Sequence, residues 1–185
     1  MNVNQDSVMY SQYRMRMGIR AALFAAMICV SAFVVIPIGP VPLTMQSLMV
    51  QFAALLLPAP YGIMSILLYL GLGALGFPVF SQGRGGLAHF AGPTGGYLLG
   101  FLIANILLQL RRSIWVRSRI TLMMALGLHT AILLGLGHVF MVLVAGVGSQ
   151  KAIVISTGLI VPSLIKIGIG TAVLDWLILK RRFRS

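Results

Sequence analysis

The sequence predicts an all-α integral membrane protein of six transmembrane helices, N-in and C-in, with a ligand pocket on the outer side. Three observations predict this class. The 185 residues are 59% apolar and only 9% charged, against about one-quarter charged in an average globular domain. No charged residue lies between Ala21 and Gly83, and the apolar runs suit a bilayer core of about 30 Å. Eleven of the fourteen Lys and Arg residues fall in segments that one topology gathers on the cytoplasmic side.

Taken in order, residues 1–20 form a cytoplasmic segment anchored by Arg14, Arg16 and Arg20. The membrane domain covers 21–179, and its first span is Ala21–Ile36. This span lacks a small-residue cleavage site and more spans follow, so it is expected to be retained rather than cleaved as a signal peptide. Its Ala21/Ala25 and Ala22/Ala26 pairs let another helix approach closely, either inside the bundle or on a docking membrane protein. Cys29 is the only cysteine, which leaves no disulfide within the chain and reads as a structural thiol. The stretch "PIGPVPLTMQ" (Pro37–Gln46) stops the helix in an outer loop, because proline lacks an N–H and restricts its neighbours. It delivers Thr44 and Gln46 into the second span, Val41–Leu57. A tight inner turn, Pro58–Pro60, leads to the third span, Tyr61–Pro78.

The outer loop Val79–Gly92 is glycine-rich and carries Gln82 and Arg84. Pro93 opens the fourth span, Thr94–Leu110, where Gly95 and Gly96 admit another backbone or a ligand beside Thr94 and Tyr97. The basic inner loop Arg111–Arg119 precedes the fifth span, Ile120–Val144. Its His129 and His138 read as interhelical hydrogen-bonding groups. An outer stretch from Gly148 to Val161 leads to the last span, Pro162–Leu179, with Pro162 as its first helical residue. Residues 180–185 are a basic cytoplasmic tail, whose Lys180 is expected to pair with Asp175.

Few residues can do chemistry. The two acidic residues, Asp6 and Asp175, do not supply paired carboxylates or a proton relay. The three histidines lack metal-ligand spacing, and no P-loop pattern occurs. The chain is therefore read as no enzyme, with no metal and no cofactor. Its net charge of +12 sits at the ends of apolar segments, which points to the lipid bilayer rather than nucleic acid. Lys166, inside the last span, stands out, because a lysine there is costly and marks function by default. It either snorkels outward or faces a ligand. A ligand is favoured, since the expected helix N-terminus would add free N–H groups and Ser163 a hydroxyl, making a site for a carboxylate or polar carbonyl. Arg84 could add a second positive contact, and Gln46, Gln82, Thr44, Thr94 and Tyr97 complete the candidate set.

Four motifs occur in order: "GPVPLTMQ", "GLGALGFPVF", "GGLAHFAGPTGGYLLGF" and "VPSLIK". Through them, nearly the whole chain resembles the BioY family, biotin-specific S components of energy-coupling-factor (ECF) vitamin transporters. The resemblance implies an S-component-type bundle with a biotin pocket near the outer face, in a bacterial or archaeal cell (inner) membrane. It implies docking through Ala21, Ala22, Ala25 and Ala26 on a transmembrane coupling subunit driven by two ATPase subunits. It also implies that Lys166 contacts the ureido ring of biotin, with an aspartate three residues earlier. Here that position is Ser163, so Lys166 lacks this counter-charge and the pocket is expected to favour an anion. The alternative is a stand-alone secondary transporter of biotin or a related small carboxylated vitamin. Against it stand the short chain, the lack of a visible inverted repeat and the scarcity of acidic proton carriers. A small membrane enzyme would want clustered carboxylates or histidines, and a purely structural subunit would not need Lys166. A homo-oligomer is left open.

Overall fold

The computed structural model describes residues 3–36 and 41–179. Pro37–Pro40 and the tail Lys180–Ser185, with the expected Asp175–Lys180 pair, lie outside the described residues.

The first helix, α1 (Val3–Ser31), runs unbroken for 29 residues, about 44 Å at 1.5 Å per residue. It continues straight through residue 20, where the sequence divides a tail from a span. Nothing between Val3 and Ser31 breaks a helix except Gly18, whose single cost is about 1 kcal/mol. The span expected to last until Ile36 stops earlier. Val35–Ile36 (β1) and Leu43–Thr44 (β2) form a two-residue antiparallel ladder, with Val35 opposite Thr44 and Ile36 opposite Leu43. β-Branched Val34, Val35 and Ile36 favour extended backbone, as does the proline that follows.

Helix α2 (Gln46–Leu56) therefore starts five residues later than the expected span. It ends where Leu57, before Pro58, turns extended. Arg112 satisfies its last carbonyls: Nε donates to Leu55 O at 2.8 Å and Nη2 to Leu56 O at 3.4 Å. Helix α3 is Tyr61–Ala74 and α4 is Gly95–Leu110. A single turn, α5 (Arg112–Trp115), leads into α6 (Arg119–Leu143). A capping box starts α6, in which Thr121 N–H donates to Ser118 Oγ and Ser118 N–H to Thr121 Oγ1.

The outer stretch expected before the last span is mostly helical. Helix α7 (Ser149–Gly158) is followed, across Leu159 alone, by α8 (Ile160–Leu174). Pro162 thus lies within the first turn of α8 rather than at its first position, where its missing N–H is still tolerated. Leu159 N–H bonds back into α7, and Ser163 N–H already donates to Leu159 O at 3.1 Å. The open helix end expected beside Lys166 is not there.

The helical run Ser149–Ile178 has a mean hydropathy of 2.0, and α6 one of 1.9. Both are long enough to cross a bilayer. Helices α2, α3 and α4 are apolar but shorter. The bundle keeps apolar side chains outside as well as inside: Leu67, Ile103, Leu128, Leu164 and Ile169 are all exposed. A helix apolar all round is buried in protein or in lipid, and these faces meet no protein among the described residues. This is a membrane protein of helical architecture.

Helix α4 packs against α6, α1 against α3, and α8 against α6, with α2 inside. Glycines set the α4–α6 approach. A Cβ on Gly96 would meet Leu136 O at 2.6 Å, and one on Gly137 would enter the Tyr97 ring. Replacing Gly96 with valine is expected to destabilise the bundle by about 1–3 kcal/mol or more through overpacking. Thermal unfolding in detergent should show the drop, and an unchanged midpoint would mean that α6 yields freely. Polar bridges cross the same interior. Gln51 of α2 donates to Thr130 Oγ1 of α6 at 3.1 Å and faces His129 Nδ1 at 3.4 Å. His138 meets Ser156 of α7 at 3.0 Å.

Candidate binding cavity

At the end of the bundle where α2 and α4 begin, the β1–β2 ladder, α2, α4, α6 and α8 border a small cavity of about 60 Å³ that is open on one side. Its polar lining is Thr44, Ser47, Thr94, Tyr97, Ser163 and Lys166. Phe101, Leu133, Leu134 and Leu159 form the apolar wall. Lys166 reaches across from α8 to the hairpin base. Its Nζ donates to Thr44 O at 2.6 Å and to Ser47 Oγ at 3.0 Å. Both acceptors are neutral. Asp6 lies in the first turn of α1, and Asp175 follows the far end of α8. Neither acid of the chain can serve Lys166.

A second hollow lies in the loop between α3 and α4. Gln82, Arg84, Ala88 and His89 line it, and Thr94 borders both spaces. The loop is built around Phe80, which is fully buried. Its ring stacks on His89 at 5.2 Å and meets Tyr69 and Phe90 edge-on, each at 5.5 Å. Gly73 makes room for that ring, since any Cβ there would collide with it. Gly86 N–H donates to Gly73 O at 2.7 Å, and Phe80 N–H to Arg84 O at 2.8 Å. Gln82 holds a left-handed backbone, φ 65°, which costs a non-glycine residue about 1 kcal/mol or more.

His89 connects the hollow to the cavity through Thr94, Nε2 to Oγ1 at 2.8 Å. Burial, then the positive charge of Arg84, holds its pKa below the ordinary 6.5. The folded loop thus prefers the neutral ring. The unfolded loop takes up a proton first as pH falls, so loop stability is full above about pH 6.5 and declines below it. Ligand affinity is expected to be level between about pH 7 and 8 and weaker near pH 5. A His89→Gln variant should flatten that decline, and an unchanged profile would clear His89 of the effect.

Of the eight residues expected at a site, the structure brings Lys166, Ser163, Thr44, Thr94 and Tyr97 to the cavity. Gln82 and Arg84 line the adjoining hollow. Gln46 borders neither; it is buried and donates from Nε2 to the hydroxyl of Tyr69, tying α2 to α3. Ser47, in the first turn of α2, also lines the cavity and accepts from Lys166, and sequence reasoning did not single it out, because Thr44 before it is in β2 and no helical spacing links the two. The four alanines of α1 divide. Ala21 and Ala25 are buried, at 0% and 3% exposure, whereas Ala22 and Ala26 are exposed.

Comparison with known proteins supplies a family. The BioY family profile matches residues 4–183. The "Probable biotin transporter BioY" of Pyrococcus horikoshii is 44% identical over 146 residues, covering 78% of this chain and 85% of that one. The "Biotin transporter BioY" of Thermotoga maritima is 44% identical over 96 residues, covering 52% of this chain and 57% of that one. The fold matches the crystal structure of the S-component for biotin from an ECF-type ABC transporter with a TM-score of 0.78. That match covers 96% of this chain and 94% of the other at 24% identity.

Proposed function

Because this chain belongs to the BioY family, we propose that it is the substrate-binding subunit of a biotin uptake system. It is a transporter component rather than an enzyme, and biotin is its cargo. The observation that carries the reading is the cavity at one end of the bundle, polar around Lys166 and apolar along α4 and α6. The basic residues support its orientation. Arg112 binds the carbonyls at the C-terminal end of α2, whereas the cavity sits at the N-terminal end. With Arg112 and its neighbours inside, the cavity opens outward. In this reading six segments cross the cell membrane with both termini in the cytoplasm.

Biotin is captured from the outer face, within reach of Lys166, Ser163, Thr44, Thr94 and Tyr97, with Arg84 and Gln82 at the entrance. Delivery then depends on a coupling module of one transmembrane subunit and two ATPase subunits. The exposed Ala22 and Ala26 face of α1 is free to meet that module, while Ala21 and Ala25 are already used inside. Titration calorimetry on the purified chain in detergent tests the reading, with desthiobiotin and lipoate as comparators. Tight biotin binding with weaker comparators is expected. Absence of biotin binding would overturn it.

A further inference from the structure

We propose that the bundle binds water inside itself, in a site between α2, α4 and α6 beneath the cavity, and that this water fixes the height of α2. The faces that line the cavity continue inward as polar faces. On α4, Tyr97 and Phe101 line the cavity, and Asn105 and Gln109 follow on the same side in four-residue steps. On α2, Gln51 follows Ser47 by four residues, and on α6 His129 precedes Leu133 by four. None of these four polar side chains is more than 5% exposed.

Their hydrogen bonding is incomplete. Gln51 Nε2 reaches Thr130 Oγ1 at 3.1 Å, His129 Nδ1 at 3.4 Å and Leu126 O at 3.5 Å. Asn105 Nδ2 donates to Val50 O, just before Gln51, at 3.5 Å. Gln51 Oε1, Asn105 Oδ1, His129 Nε2 and both amide atoms of Gln109 meet no protein partner. A buried polar atom left unpaired loses its hydration without return, and lipid offers it nothing. These atoms include acceptors, the amide oxygens, and a donor, Gln109 Nε2. A metal cation would serve only the acceptors, and among the described residues no cluster of His, Cys, Asp or Glu accompanies them. Water both donates and accepts, and it settles where a few such groups converge. The cavity above is open on one side and gives it entry. Gln51 lies one turn below Ser47, which accepts from Lys166. Water that ties α2 to α4 and α6 therefore holds Ser47 level with the lysine.

Water-edited solid-state NMR on the isotope-labelled full chain in bilayers tests the site without any ligand. Magnetisation from water is expected to reach the Asn105 side-chain amide and the His129 ring sooner than the buried backbone amides of Ile66 and Leu122. Transfer no faster than to those two would overturn the proposal, whether or not any variant folds. Asn105→Leu should slow transfer to His129 and lower the unfolding midpoint in detergent by about 2–4 °C. A dry site predicts the reverse, since leucine would relieve an unpaired group, so a raised midpoint would also overturn it. A midpoint that rises in sodium over choline, with the gain lost in Asn105→Leu, would replace water with a cation. The positioning of α2 rests on the biotin reading. Asn105 does not line the cavity, yet Asn105→Leu should weaken biotin about threefold or more. Unchanged affinity would overturn that positioning role. If the unaltered chain binds no biotin, the biotin reading falls, and the NMR result still decides the water site.

Discussion

Lys166→Ala is expected to weaken biotin binding at least tenfold, a loss of about 1.4 kcal/mol or more. The ammonium does two jobs that alanine cannot. It offers a donor to the cavity, and it closes the hairpin base through Thr44 O and Ser47 Oγ. Loss of the first removes a charged contact to ligand. Loss of the second releases β2 from α8, so the cavity wall loosens as well. Calorimetry with the purified variant measures the sum. Ser47→Ala separates the parts, since it keeps the ammonium and removes one of its tethers. A smaller loss than for Lys166→Ala is expected there. Unchanged biotin affinity in Lys166→Ala would mean that the lysine only braces the hairpin.

Replacing Ala22 and Ala26 together with leucine is expected to abolish energised uptake while leaving biotin affinity unchanged. Both residues are exposed on α1 and neither lines the cavity, and leucine there keeps a partner helix from close approach. The paired control is Ala21 and Ala25. These are buried at 0% and 3% exposure, so leucine there overpacks the bundle and costs about 1–3 kcal/mol in stability. Uptake assays in vesicles with the coupling module, alongside thermal unfolding, tell the two faces apart. Uptake that survives the Ala22/Ala26 change would move the docking surface elsewhere.

Much of the architecture was legible because lipid imposes simple rules. Long uncharged runs and prolines between them place helices and breaks, and basic flanks suggest which end faces inward. What local rules missed were the ends of elements. Val34–Ile36 read as the end of a span, yet this β-branched stretch turns extended and pairs with Leu43–Thr44 once the chain turns back. Gly148–Val161 read as an outer stretch with no element assigned, although residues 149–158 are helical and lead across Leu159 into α8. Pro162 looked like a helix start because proline suits that place, but it suits the whole first turn.

The site shows the same division. A lysine within a span and a serine three residues before it can be seen in the chain itself, since burial of charge in lipid is costly wherever the helix points. So can the small residues that let helices meet. Only the tertiary structure decided what each one meets. Gln46 and Ser47 are neighbours in sequence, yet α2 turns one toward Tyr69 and the other toward Lys166. Ala21 and Ala22 likewise fall on opposite sides of α1's boundary with the bundle. A helix advances about 100° per residue, so the pattern names the faces. Which face packs inward, and which lines a cavity, is settled by the neighbouring helices that come to lie against it.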